Sequence, residues 1–381
     1  MPLTGVRVLD LSRLLPGPFA TMILAGLGAE VVKVEDLDGG DYLRWMPPRD
    51  GDTSAMFTAV NRDKRSLRLN LKSSRGRDLF LDLAERSNAI LESFRPGVME
   101  RLGLSTATLH ERNPRLVICS ITGFGQDGPD RLRAGHDLNY LARAGVLAIS
   151  GAAEGEPAIS GVQMADMGGG GLGAVIAILA ALRRAERTGI GSHCDVSMLD
   201  GMLSWMSPHI AAARAGGPDA AAGMLLNGAH PCYHLYRCAD GWMTVAALEP
   251  KFWIRLCELL GVDDLRDQAF ATGDDARHVT DRLNSVFASR TRAQWRKHMD
   301  GEDVCCEPVL SIDEVLADAQ VRHRAQDAGG APAWFPLRIG AEAHAPLGPA
   351  PPYGADSRAL LAEVGVDDGE YERLVAERVT A

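Results

Sequence analysis

A few side chains stand where they could move protons. Asp166 lies one residue ahead of four glycines, Gly168–Gly171, that open an apolar stretch of helical length. A carboxylate there is favoured by the positive end of a helix dipole, and the same free N–H groups could hold a developing oxyanion; a plain helix N-cap is the competing reading. His136, in Gly135-His136-Asp137, precedes a helical pattern from Leu138 to Leu147. It reads either as a structural histidine or as an acid–base group, with Asp137 capping the helix that follows. Glu249, ahead of Pro250, carries no signal of its own. His193-Cys194-Asp195 has the composition of a metal or protease site, but it opens a strand expected to be buried and is read as structural.

The cations suggest an anionic ligand. Arg95 and Arg101 fall near the carboxyl end of a predicted strand, the edge where open α/β sheets bind ligands. Lys64, Arg65 and Lys72 come from a neighbouring segment, and guanidinium forks suit phosphate oxygens. A solvated basic face is the other reading. Gly123-Phe124-Gly125-Gln126-Asp127-Gly128 matches G-x-G-x-x-G, yet Pro129-Asp130-Arg131 follows it without an apolar helical pattern. A dinucleotide fingerprint has to open a helix, so nicotinamide binding is not expected. Met164, Met167, Met198, Met202, Met206 and Met224 fit either an adaptable apolar pocket or ordinary core packing.

These residues need a scaffold, and the chain has the means to build one. At 381 residues and roughly 150 per domain, two domains are expected. With 46% hydrophobic and 24% charged residues a large core is within reach. A net charge of −10 argues against general binding to nucleic acid or to an anionic membrane. The opening MPLTGVRVLDLSR lacks the blocks of a signal peptide, and the longest apolar stretch, Leu172–Leu182, is short of the roughly 20 residues that span a bilayer. Seven cysteines without a CxxC indicate neither a disulfide framework nor a zinc site. A soluble, reduced, cytoplasmic protein without a metal is expected.

Strand, helix and strand alternate from the start: Val6–Asp10, Phe19–Leu27, Val31–Glu35. The rhythm returns at Arg65–Leu71, Ser73–Glu85 and Ala89–Glu92, and Leu116–Ile121 reads as a strand buried on both faces. The fold class expected is α/β, with a Rossmann-like open parallel sheet in a large domain over 1–197. A linker helix follows over 198–225, then a smaller α+β domain over 226–330 and a Pro-rich return linker over 331–355. One or two helices close the chain between Asp356 and Val379.

Seven segments, in order, carry a resemblance: LDLSRLLPGPFATMILAGLGAEVVKVE, NRDKRSLRLNLK, ESFRPGVMERLGL, ITGFGQDGP, AGHDLNYLARAGVL, ADMGGGG and ALEP. Together they resemble the class III coenzyme A-transferase superfamily, nearest to its α-methylacyl-CoA racemase branch, across essentially the whole chain. The resemblance implies a large domain completed by residues 335–381 and an interlocked homodimer, its active site shared between the large domain of one copy and the small domain of the other. It implies an acyl-CoA thioester as ligand, held near Leu69, Lys72, Phe94, Arg95, Arg101 and Tyr140, with no cofactor beyond coenzyme A itself. Where the transferases have an arginine against the adenine, this chain has Asp36.

Two chemistries occur in the superfamily. Its transferases use an aspartate at the position of Asp166 as nucleophile, forming an acyl-enzyme intermediate. Its racemases pair that aspartate with a histidine at the position of His136, and Glu249 matches the residue that orients the histidine. A thioester α-proton is weakly acidic, so its removal needs a positioned base, a stabilised enolate and a second group on the opposite face. Burial would have to raise the Asp166 pKa for it to serve as the acid, and amides at the start of the glycine-rich helix are expected to hold the enolate. The presence of all three residues favours the racemase reading over the transferase, and either over an idle coenzyme A-binding dimer. Gly228-Ala229-His230-Pro231-Cys232 departs from the usual pattern and is expected to place His230 and Cys232 near the acyl pocket. Fatty, bile-acid-like, sterol side-chain and arylpropionyl thioesters all stay open.

Overall fold

Short β-branched runs pair wherever the sequence alternates with helices. The computed structural model describes residues 1–151, 156–217, 224–328, 331–333, 337–339 and 348–381. Six strands, β1 (Arg7–Asp10), β2 (Glu30–Glu35), β3 (Lys64–Arg68), β4 (Ala89–Glu92), β5 (Val117–Thr122) and β6 (Ser192–Ser197), form one sheet among the described residues. Their order is β3-β2-β1-β4-β5-β6, and every pair is parallel. This is the doubly wound order, in which the winding reverses between β1 and β4. The carboxyl ends of those two strands therefore deliver Arg13 and Phe94-Arg95 side by side, and the Arg13 N–H donates to Ser93 Oγ at 3.3 Å. β4 and β5 are buried throughout, whereas β6 is an edge strand with alternating exposure. His193 is thus half-exposed rather than buried, and its Nε2 lies 2.9 Å from Ser120 Oγ.

Helix α1 (Pro16–Gly26) starts on a proline whose missing N–H costs nothing there. Ser73 caps α2 (Ser74–Glu85), accepting from the Gly76 N–H at 3.0 Å. Helix α3 is short (Asp137–Arg143). Ala165–Leu172 is a π-helix running straight into α4 (Gly173–Thr188), and α5 (Met198–Arg214) follows β6. The glycine run is there for close packing. A Cβ on Gly201 of α5 would stand 2.4 Å from the Gly169 Cα, and one on Gly171 would stand 3.1 Å from the Pro16 carbonyl oxygen. The continuous helix Ala165–Thr188 is 24 residues long and apolar enough to cross a membrane by length and composition. The apolar stretch counted in the sequence was shorter because the glycines ahead of it were read as a helix opening. Its buried residues Ala174, Val175, Ile178, Ala181, Leu182 and Ala185 recur at helical spacing, as a face laid on a sheet requires.

The chain groups into two compact units: Met1–Ala144, Gly161–Trp205 and Arg324–Ala381 form the first, Gly145–Ser160 and Met206–His323 the second. Segment 145–160, expected within the large domain, thus groups with the second unit. Parts of the linker expected over 198–225 (218–223) and much of the return linker expected over 331–355 (334–336 and 340–347) lie outside the described residues. Later helices include α6 (Pro250–Leu260), α7 (Gly273–Phe287), α8 (Arg292–His298), α9 (Ser357–Ala362) and α10 (Asp368–Ala376). In the first unit, Leu360 and Leu361 of α9 and Leu374 of α10 share a core with Leu9, Val32 and Ile90. The second unit carries an antiparallel sheet in the order β9 (Cys306–Pro308), β8 (Gly241–Ala246), β7 (Tyr233–Cys238). Its core stacks Tyr236 on Phe287 at 5.2 Å, beside Trp253 and Trp295.

Along β1, β2 and β3 and the loops that follow β2 lie six charged side chains, none more than 5% exposed: Asp10, Lys33, Glu35, Asp41, Arg44 and Lys64. Three cations meet three carboxyl groups. Lys64 Nζ lies 3.1 Å from Asp10 and donates to Asn61 Oδ1 at 2.8 Å. Lys33 Nζ donates to the Ser12 carbonyl at 3.0 Å and lies 3.0 Å from Asp41. Arg44 grips Glu35 with both ends of its fork, at 2.7 and 2.8 Å. Burial alone would raise the Asp10 pKa, but Lys64 and Lys33 outweigh it and hold the carboxyl well below its ordinary range. Burial is likewise outweighed at Glu35, which Arg44 and Lys33 hold low. Lys64 and Arg65, expected to hold phosphate, are occupied: Lys64 is sealed in this network, and Arg65 pairs with Glu30 and Glu363 at 2.6 and 2.9 Å.

Removing one partner of a buried pair strands the other. Lys33→Met is therefore expected to cost about 3–5 kcal/mol, read as a lower midpoint of urea unfolding; an unchanged midpoint would mean the network contributes no net stability. Because Asp10 and Glu35 titrate lower folded than unfolded, their contribution is complete above about pH 4.5 and is lost as pH falls further. The gap between wild type and Lys33→Met is expected to narrow in acid.

Candidate active site

At the winding reversal lies a cavity of about 570 Å³, lined among others by Arg13, Phe94, Arg95, His136, Tyr140 and Asp166. They reach it from four elements. Arg13 follows β1, Phe94 and Arg95 follow β4, His136 is the extended residue that precedes α3, and Asp166 sits in the first turn of the π-helix. The His136 N–H donates to Asn139 Oδ1 at 3.0 Å, fixing the entry into α3. Asp137 does something the sequence reading missed. Its Oδ1 accepts the N–H groups of Ala165 and Asp166, at 2.7 and 3.0 Å, so it caps the π-helix and not its own. One carboxylate oxygen thereby ties the His136 loop to the Asp166 turn.

This arrangement decides the electrostatics. Burial, reinforced by the Asp137 charge, pushes the Asp166 carboxyl up to about 7. It also uses up the amides expected to hold an enolate: Ala165 and Asp166 donate to Asp137, and the Met167 N–H donates to the Gln163 carbonyl at 3.0 Å. Tyr140 forms a wall. Its hydroxyl donates to the Gly135 carbonyl at 2.6 Å, and burial and Asp166 push its phenol up to about 12. Gly123, first of the G-x-G-x-x-G glycines, makes room for that ring, since a Cβ there would meet it at 2.4 Å. No helix opens at Gly128; the next begins at Asp137.

A second cavity of about 480 Å³ shares Arg13 and Phe94 with the first. Leu69 and Lys72 line it, as do Asp36, Asp38 and Arg378. Phe94 stands at the junction because buried Glu92 accepts its N–H at 2.6 Å; burial pushes the Glu92 carboxyl up to about 7. Arg13 reaches across to Asp36, 2.6 Å away, and so brings a guanidinium to the position where the sequence seemed to lack one. Arg101, exposed at the end of a single turn, lines neither cavity.

Glu249 belongs to the second unit, where its carbonyl accepts the N–H groups of Phe252 and Trp253 at the start of α6. There its charge, after burial and Asp303, helps raise the Cys305 thiol pKa. Cys232, expected near an acyl group, is instead fully buried in the core of that unit, its thiol pushed up to about 11 by burial. His230 packs edge-on against Phe270, 5.7 Å between centroids, and its Nδ1 lies 3.2 Å from the Ala271 carbonyl oxygen. Of the methionines, Met198 lines the first cavity while Met202 is wholly buried. Sequence reasoning passed over Arg13, Tyr42, Arg131 and Arg133, all lining residues of the first cavity. Arg13 had a legible signal, three residues beyond the end of β1 at the ligand edge; the others sit in loops without one.

The sequence profile of CoA-transferase family III matches residues 3–357. The chain is similar to α-methylacyl-CoA racemase of Homo sapiens, 36% identical over 390 residues, covering 100% of this chain and 97% of that protein. It is similar to succinyl-CoA:glutarate CoA-transferase of Mus musculus, 34% identical, covering 84% of this chain and 75% of that one. The crystal structure of a CAIB/BAIF family protein from Brucella suis superposes with a TM-score of 0.84 at 30% identity, covering 96% and 99% of the two chains. With a matching profile over most of its length and the α/β fold of a solved member, the chain belongs to CoA-transferase family III.

Proposed function

We propose that this enzyme epimerises C2 of a 2-methylacyl-CoA thioester by moving protons on both faces of that carbon. One observation carries the reading: His136 and Asp166 line a single cavity and are fixed to each other through Asp137. An imidazole can take the C2 proton of one epimer while the neutral Asp166 carboxyl gives its proton to the opposite face. The pair is left as imidazolium and carboxylate, the state that works on the other epimer. A carboxyl pushed up to about 7 suits that exchange, since it serves as acid or base near neutral pH.

The nucleotide end of the thioester fits the second cavity, along Leu69 and Lys72, with Phe94 and Arg95 at the passage to the first. No cofactor beyond coenzyme A is part of the reading. The interlocked homodimer belongs to the same proposal, with Glu249 orienting His136 across the two copies. A transferase using Asp166 as nucleophile is the second reading, supported by relatives of that name at nearly the same identity.

His136→Ala separates the two. Conversion of a single 2-methylacyl-CoA epimer into its C2 epimer is expected to slow on the order of 10²- to 10⁴-fold, while thioester transfer to a free acid through Asp166 is left largely intact. Transfer in the wild type without racemisation would overturn the racemase reading. Asp166 also leaves a stability signature. Its carboxyl binds its proton more tightly folded than unfolded, so wild-type stability falls as pH rises toward 7. Asp166→Asn is therefore expected to raise Tm, by a margin that grows from pH 5 to 7 and levels off above. A margin independent of pH would contradict the raised pKa.

A further inference from the structure

The first cavity is more cationic than proton transfer needs. Arg13, Arg95, Arg131 and Arg133 line it, against Asp166 as the one carboxyl group lining it among the described residues, and that carboxyl is driven toward its neutral form. The four are not alike. Arg13 is paired with Asp36 at 2.6 Å. Arg133 shares Asp130 at 3.6 Å with Arg143, which holds the same carboxylate more closely at 2.8 Å. Among the described residues, Arg95 and Arg131 have no carboxylate within ion-pair distance. Arg95 follows Phe94 at the passage from the nucleotide cavity and is placed for the coenzyme. Arg131 is placed differently. It lies on the turn that leads into His136 and lines only the cavity that holds His136 and Asp166.

A guanidinium facing a cavity without a counter-charge lowers the energy of an anionic ligand there and gains little from a hydrocarbon one. A thioester laid with its nucleotide beyond Phe94 brings its acyl portion into the cavity that Arg131 lines. From this juxtaposition, and resting on the function proposed above, we infer that Arg131, backed by Arg133, is a specificity residue that receives an anionic group on the acyl portion. The preferred substrates are then 2-methyl-branched thioesters whose acyl chain ends in a carboxylate.

Binding tests this without requiring turnover. The probes are two non-reactive S-alkyl-CoA thioethers with 2-methyl-branched tails of equal length, one ending in a methyl and the other in a carboxylate, titrated calorimetrically into the full-length protein. The carboxylate tail is expected to bind more tightly to the wild type. Arg131→Ala is expected to weaken that probe on the order of 10- to 100-fold and leave the methyl-ended one unchanged. Arg131→Lys should restore part of the affinity, and Arg131→Glu should reverse the preference. Equal weakening of both probes would assign Arg131 to the coenzyme phosphates and overturn the inference, as would no change in either. Failure of the racemase reading would show separately, as absent racemisation with these preferences intact.

Discussion

The site depends on Lys33. Its ammonium group, sealed from water under the sheet, holds the Ser12 carbonyl on one side and Asp41 on the other. Those contacts fix the two loops that bring Arg13 and Tyr42 to the first cavity. Asp41 in turn accepts the N–H of Leu14, whose left-handed backbone (φ 62°) is a conformation that a branched side chain adopts only when its surroundings demand it. The strain is tolerable because the network beneath leaves the loop no alternative. A buried arrangement of three cations and three carboxyl groups is a costly way to stabilise a fold, since each ion gives up its hydration. Here it specifies geometry at the reversal of the winding, where two loops have to meet side by side.

The same economy of partners governs the proton-moving end. Asp137 uses one oxygen for two N–H groups, and that arrangement caps a helix, fixes His136 relative to Asp166, and adds a negative charge to the burial that drives the Asp166 carboxyl toward its neutral form. The glycines that follow let the π-helix lie against α1 and α5 more closely than any side chain would permit. Phe94, held by buried Glu92, stands between the two cavities and belongs to both.

Much of the scaffold was legible in the sequence because its signals are local. Ser73 announced α2, the β-branched runs marked the strands, and the failure of Gly123–Gly128 to open a helix followed from the polar residues after it. The family and the candidate residues His136 and Asp166 were legible from ordered motifs. What was not legible is set by partners distant in the chain. Nothing near Lys64 says that Asp10 takes it from the surface, and nothing near Asp36 says that Arg13 supplies the missing guanidinium. Asp137 looked like the cap of the helix it begins, since its true partners lie almost thirty residues away. Cys232 looked available until the second unit's core closed around it.

The central claim is that two different groups serve the two faces of one carbon. Deuterium wash-in from D₂O at C2, measured on each pure epimer of a 2-methylacyl-CoA without any acid acceptor, tests it most directly. The wild type is expected to exchange both epimers. His136→Ala is expected to exchange only the epimer whose proton faces Asp166, and Asp166→Ala only the other. Loss of both exchanges in either variant, or retention of both, would contradict a two-face mechanism built on this pair.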